Sequence, residues 1–335
     1  MRQDHPSYRL DALCRLFGKS RQAYYVRSHY VSVKHMEEEV ILSLVADARK
    51  DFPRMGGRKL LIYLQPRFKT MDIHIGRDAF FELLYRNFLL IRRPRNKKKT
   101  TYSDHWMHKY PNLIAGYTPD APNRLWVSDI TYIDMEDRFG YLSLITDAYS
   151  HKIVGWHLAP TLASSGTLSA LKMALHNLKG KHPELVHHSD RGCQYCCSAY
   201  INMLTRRKIK ISMTESGNPL ENAIAERVNG ILKTEWLYGK KTSNRQEHVS
   251  FIGRVIDLYN HHRPHQSIGY MVPALVHQTG MRTERKWKNY YWDRKEGNRA
   301  GTGSPQQGNS ATATPSLHFP AANPQVDAKK IMSNK

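Results

Sequence analysis

Three carboxylates in this 335-residue chain stand out by their surroundings. Asp129 interrupts the apolar run Leu125-Trp-Val-Ser-Asp-Ile-Thr-Tyr-Ile133. A charge in the middle of a buried strand is costly unless something positive compensates it. Asp190 follows the short apolar run Leu185-Val-His-His188, at a strand end of the kind where sites form. Glu226 is expected on a helix that starts near Pro219, with Asn218 as N-cap and Glu221 three residues after the cap. Along that helix Asn222, Glu226, Asn229 and Lys233 recur as one polar stripe, with Ile224, Val228, Ile231 and Leu232 opposite. Glu226 is thus presented about two turns in, beside a lysine that can meet phosphate. Three carboxylates brought together repel, and some hold protons at neutral pH unless cations sit among them. Hard oxygen ligands suit Mg²⁺ or Mn²⁺. Two such ions about 3.5–4 Å apart clamp a scissile phosphate, and no Ser, Cys or Tyr nucleophile is then required. The chemistry this implies is metal-dependent cleavage of phosphodiesters.

Other chemistry-bearing residues read more simply. Asp147, in Ile145-Thr-Asp-Ala-Tyr-Ser150, is explained by turn chemistry. Cys193, Cys196 and Cys197 lie near His187 and His188, but a structural zinc needs a matching second pair that the surrounding sequence lacks. They read as small buried residues. His261, His262 and His265 run past the end of a helix around Arg263 and Pro264, which suits a capping or phosphate-facing role better than a metal. Arg191, Arg227, Lys233 and Arg263 are expected near DNA phosphates, as is Asn222.

These acids need elements to position them. Leu125–Ile133, Tyr141–Ile145 and Ile153–Leu158 are rich in β-branched, aromatic and aliphatic residues, and short turns join them into an antiparallel meander. Helical spacing returns at Ser165–Leu178. A short strand at Leu185–His188, a helix near Ser198–Arg207, a strand at Ile209–Met213 and long helices over Pro219–Leu237 and Gln246–Tyr259 follow. Three antiparallel strands followed by alternating helices and short strands make an α/β fold, a mixed five-stranded RNase H-like sheet flanked by helices. Ahead of it, residues 8–27 read as two short helices parted by Gly18, with Ser20 able to cap the second: a helix-turn-helix shape. Further helices are expected over 37–50, 58–64 and 77–88. Arg92, Arg93, Arg95, Lys97, Lys98 and Lys99 put six positive charges into eight residues that include Pro94, a linker that tracks phosphates. From about Gly297 the composition is Gly, Ser, Pro, Gln, Asn, Thr and Ala, which buries little and predicts disorder.

Composition narrows the partners. Lys and Arg number 51 against 29 Asp and Glu, a formal charge of +22 that self-repels unless a polyanion relieves it. Each neutralised phosphate releases counterions, so nucleic acid is the default partner. No run reaches the roughly 18 apolar residues of a membrane span, and residues 1–30 lack the apolar stretch of a signal peptide. Four cysteines make no disulfide framework at this length. A cytoplasmic, nucleoid-associated protein is expected.

Sixty residues separate Asp129 from Asp190, and 35 separate Asp190 from Glu226. This spacing resembles that of retroviral integrases and the DDE transposases related to them. The surrounding words are similar too: Trp126-Val-Ser-Asp129-Ile-Thr-Tyr, Thr146-Asp-Ala-Tyr-Ser150, His188-Ser-Asp190-Arg-Gly, Asn222-Ala-Ile-Ala-Glu226 and Tyr259-Asn-His-His-Arg-Pro-His-Gln266. Together they resemble the second-frame (OrfB-type) transposases of insertion sequences, over about residues 8–280. One departure is Gly217-Asn-Pro-Leu-Glu-Asn222, where the family usually reads Gly-Asn-Cys-Tyr-Asp-Asn. It introduces Glu221 as a rival third acid, though its spacing from Asp190 is five residues short.

The resemblance implies a DNA transposase with Asp129, Asp190 and Glu226 as catalytic metal ligands, two Mg²⁺ or Mn²⁺ ions, and water attack followed by attack of the freed 3′-hydroxyl. It implies double-stranded DNA partners (terminal inverted repeats and target), a homo-oligomer on DNA and a possible upstream-frame fusion. The expected division is a helix-turn-helix-like segment over 1–35, a second helical DNA-binding region over 36–91 and a basic linker over 92–118. The catalytic core spans 119–280 and a basic, then disordered tail 281–335. A nuclease of the same fold without joining activity, or a non-catalytic DNA-binding regulator, are the alternatives.

Overall fold

Period-two alternation of side chains makes β1 (Leu125–Asp134), β2 (Phe139–Asp147) and β3 (Ile153–Ala159) an antiparallel meander, with Asp129 paired to Leu144. The computed structural model describes residues 9–91, 107–135, 139–180, 182–215, 222–239 and 244–283, all within one unit, Met1–Trp287. Two short parallel strands, β4 (Val186–Ser189) and β5 (Lys210–Met213), extend the sheet beyond β1. The order is β3-β2-β1-β4-β5, a mixed five-stranded sheet. β1 is the strand where direction changes, antiparallel to β2 and parallel to β4.

Helices cover both faces. On one side α5 (Ser164–Asn177), α6 (Cys193–Cys196) and α7 (Ser198–Arg206) enclose Trp126, Ile145, Ala170, Leu171, Tyr200 and Leu204. Gly155 lets α5 approach β3 closely: a Cβ there would come within 2.3 Å of the Ala170 carbonyl oxygen. On the other side lie α8 (Ala223–Leu232), a π turn (Lys233–Leu237), α9 (Arg245–His261) and, against α9, α10 (Pro273–Thr279). The N-terminal helices α1 (Leu10–Leu16), α2 (Arg21–Asp51), α3 (Gly57–Thr70) and α4 (Arg77–Arg86) join this second side. Phe52, Leu60, Leu64 and Phe80 merge with Leu142, Leu144, Val228, Trp236 and Ile252 in one apolar cluster.

Several expected boundaries moved. Gly18, at φ +61°, ends α1, and the Ser20 hydroxyl accepts from Ala23 N at 3.1 Å, as anticipated. The second short helix and the helix expected over 37–50 are, however, one 31-residue helix, α2, because residues 28–36 contain neither Gly nor Pro to break it. The helix expected to end at Leu64 runs on through Pro66 to Thr70. The helix carrying Glu226 starts at Ala223, so Glu226 sits in its first turn rather than two turns in. Asn218, Pro219 and Glu221 lie outside the described residues, as do the basic run 92–99 and the tail from 284.

Candidate active site

Leu125, Val127, Asp129 and Ile133 share one face of β1, because alternate side chains point the same way. α8 lies on that face, with Ala225 packed against Leu125 and Val127. On the parallel side, Trp126 and Val127 stand opposite His187 and His188. The sheet topology therefore puts one acid on β1 and a second just past the end of the neighbouring β4, and α8 carries Glu226.

The neighbouring charges act on Asp129. The Asp129 carboxyl is pushed up to about 7, first by burial, then by the charge of Asp190, with a smaller contribution from Glu226. Two hydrogen bonds pull the other way: Asn229 Nδ2 donates to Asp129 Oδ2 at 2.7 Å, and Ile130 N to Oδ1 at 2.8 Å. Asp190 is fixed by Gly192 N, which donates to its Oδ1 at 3.0 Å. Glu226 is exposed in the first turn of α8, where unbonded N–H groups favour an anion. Lys233 is pulled down by burial, while the charges of Asp129 and Asp134 oppose that shift. Tyr195, buried behind the pocket, is raised well above the usual phenol value, by burial first and then by Tyr200, Asp190 and Asp129.

Whether these groups suit a metal is a question of donor chemistry. The donors are hard carboxylate oxygens, and a carboxyl held half-protonated by its neighbours gains most from a cation. Two amide oxygens beside Asp129, Asn222 Oδ1 and Asn229 Oδ1, are buried without a hydrogen-bond partner. Among the described residues no three His, Cys, Asp or Glu side chains gather closely enough to hold one ion. The acids thus fit divalent cations by type and by mutual charge, with the side chains spread rather than caged.

The other expected site residues fall into three groups. Arg92, Arg93, Arg95, Lys97, Lys98 and Lys99 lie outside the described residues. Arg191 Nη1 donates to the Glu215 carbonyl oxygen at 2.9 Å, and Lys233 is half-buried, its charged form favoured by Asp129 and Asp134. Asn222 and Arg263, expected at DNA, are instead buried. The Asn222 amide donates to Ser128 O at 3.0 Å and ties the start of α8 to β1. Arg263 is 1% exposed and spends its guanidinium on Glu235, because a cation taken out of water needs a fixed counter-charge. Asp147 is structural as expected, accepting from Asn123 N at 2.7 Å and Ser150 N at 2.8 Å. His187, Tyr200 and Cys196 are core groups: the Tyr200 hydroxyl and His187 Nε2 lie 2.9 Å apart, and burial pushes the Cys196 thiol up to about 11. Sequence reading placed Asn229 on the polar stripe yet missed its contact with Asp129. Its position three residues after Glu226 was the available signal.

Two family models, both described as integrase core domain, match residues 119–219 and 207–273. A 31 kDa protein of insertion element IS600 from Shigella sonnei is 33% identical over 272 residues, 79% of this chain and 97% of that one. A protein named as a putative transposase for insertion sequence element IS986/IS6110, from Mycobacterium tuberculosis, is 34% identical over 53% of this chain and 66% of its own length. The Escherichia coli protein named as transposase InsF for insertion sequence IS3A is 26% identical over 79% of this chain and 93% of its own.

Proposed function

The chain belongs to the insertion-sequence transposases that carry an integrase core domain, and from that membership we propose that Asp129, Asp190 and Glu226 are its catalytic carboxylates. As a transposase it is a polynucleotidyl transferase of the DDE type acting on DNA, a class that depends on divalent metal. The observation that carries the site is a half-buried mid-strand carboxyl, Asp129, bonded by Asn229 of the helix that bears Glu226 and pushed up to about 7 by desolvation and by Asp190 and Glu226. No cation among the described ion pairs neutralises Asp129. Lys233 is a cation whose charged form the Asp129 carboxylate favours.

In this reading Asp129, Asp190 and Glu226 hold two Mg²⁺ or Mn²⁺ ions, which when bound polarise the scissile phosphate and favour the attacking oxygen. Mutual repulsion keeps the three carboxylates spread until cations neutralise them. Asn229 orients the Asp129 carboxylate through its amide N–H, and Lys233 balances charge beside the phosphate. A water oxygen attacks the element-end phosphodiester and leaves a 3′-hydroxyl. That hydroxyl then attacks a target phosphodiester, exchanging one P–O bond for another. The N-terminal helices bind the terminal repeats, the run from Arg92 to Lys99 follows phosphates, and the protein works as an oligomer bridging two ends.

The test uses full-length protein, Mg²⁺ and duplex oligonucleotides bearing the element's ends. Parent protein is expected to cut and join, while Asp129→Asn and Glu226→Gln lose both activities by about 10²–10³-fold or more, the scale of removing one charge-stabilising group. Joining at the parent rate by either variant would sink the assignment. Cut ends without joined products would favour a nuclease.

A further inference from the structure

Beyond Glu226 the same helix leaves α geometry for a single π turn, Lys233–Leu237. Such turns are rare and recur at functional sites. The two ends of this one face different neighbours. At its near end it continues α8, whose Asn229 donates to Asp129 Oδ2 at 2.7 Å. Two residues later Glu235 is buried, and its carboxylate accepts from Arg263 Nε at 2.8 Å and Nη2 at 2.7 Å, and from Lys59 Nζ at 2.8 Å. Trp236 donates its indole N–H to Asp51 O at 2.7 Å, and its ring centre lies 5.8 Å from that of Phe52. The Arg54 guanidinium lies 4.5 Å from the Tyr238 ring centre. Arg254 of α9 closes the ring of interactions by donating to Asp51 Oδ1 at 2.7 Å. The stretch from the end of α2 to the start of α3 therefore grips the turn that continues α8, the helix tied to Asp129 through Asn229.

We propose that Lys59 is a positioning residue for DNA cleavage: acting through Glu235, it fixes the π turn and so the placement of Glu226 and Lys233, coupling the N-terminal helices to the acid site. The inference rests on the catalytic reading of Asp129, Asp190 and Glu226. Its logic is one of charge. Two cations face one carboxylate, so removing Lys59 leaves the bidentate Arg263–Glu235 pair balanced and the core intact. Removing Glu235 would instead strand two cations away from water. Lys59 is thus the member whose loss reports on coupling, and methionine keeps its unbranched stem.

The experiment compares parent, Lys59→Met, Lys59→Arg and Asp129→Asn as full chains, using duplex oligonucleotides with both element ends and Mg²⁺. It reads the melting temperature, the Kd for end DNA and the single-turnover cleavage rate at saturating DNA. Lys59→Met is expected to keep melting temperature and Kd while cleavage falls about 10- to 100-fold, the scale of a small misplacement of reacting groups. Lys59→Arg, which restores the cation, is expected to recover most of the rate. Cleavage by Lys59→Met at the parent rate overturns the coupling, as does a loss of rate tracked by equal losses of melting temperature or end affinity. If Asp129→Asn cuts like the parent, the underlying site reading fails. If Asp129→Asn is inactive while Lys59→Met is not impaired, only the coupling fails.

Discussion

Asp129 is a carboxylate whose two oxygens already have defined partners, Asn229 Nδ2 on one and Ile130 N on the other. Both bonds stabilise the charged form, yet burial and the neighbouring acids win, and the proton is held to about 7. Divalent ions must displace that proton, so below about pH 7 the Mg²⁺ needed for half-maximal cleavage should rise about tenfold per pH unit, levelling off above. A titration of rate against Mg²⁺ at several pH values checks this; a flat profile would contradict it. The stability of metal-free protein should follow the same group. A raised carboxyl contributes stability below its unfolded value near 3.8, and that contribution is lost as pH rises through 7. Melting in EDTA should therefore fall over that window, less so in Asp129→Asn. Asn229 supplies the bond that lowers this pKa, so Asn229→Ala should move the acid limb of the rate profile to higher pH. It should also cost about 10- to 100-fold in metal affinity or rate, as loss of a group orienting a ligand does. An unmoved limb would deny Asn229 its orienting role.

At the level of elements, the site depends on helices held close to the sheet. α5 touches β3 at Gly155, where an added methyl would meet the Ala170 carbonyl oxygen at 2.3 Å and the Ala174 Cβ at 2.8 Å. Backbone atoms cannot swing aside as a side-chain tip can. Gly155→Ala should destabilise the core by about 1–3 kcal/mol or more, measured by urea unfolding, through overpacking. A neutral result would mean that α5 slides along β3. The strands and α5 were legible in sequence because burial imposes their periods directly: Leu125–Ile133 was expected and Leu125–Asp134 observed. α2 was not, since residues 28–36 mix polar and apolar side chains without a clear helical face, although none of them is a Gly or Pro that would break the helix. The π turn was invisible for another reason. One extra residue in a turn changes which side chains meet, and Glu235 has meaning only beside Lys59 and Arg263.

For the whole molecule the governing quantity is a formal charge of +22. With about 6–10 phosphates neutralised, end binding should weaken roughly 10³- to 10⁵-fold between about 50 and 200 mM salt. Replacing Arg92, Arg93, Arg95, Lys97, Lys98 and Lys99 by alanine should flatten the log–log salt slope by about 0.9 for each phosphate left without its cation. An unchanged slope would assign phosphate tracking elsewhere. Arg263, by contrast, would not alter that slope, because its charge is consumed inside the protein by Glu235.

The chain by itself singled out three acids as candidates and determined how the core is layered. A carboxylate in an apolar strand and an acid at a strand end are local anomalies, and local energetics leave them readable in one dimension. Only the folded molecule decided what those acids touch. Parallel pairing of β1 with β4 brings the strand end that precedes Asp190 alongside the strand of Asp129, and α8 carries Asn229 to Asp129. Burial converted two expected DNA-facing residues, Asn222 and Arg263, into internal ties. Partner choice for a polar side chain depends on which distant group shares its desolvated space, and that is fixed by packing between elements far apart in sequence.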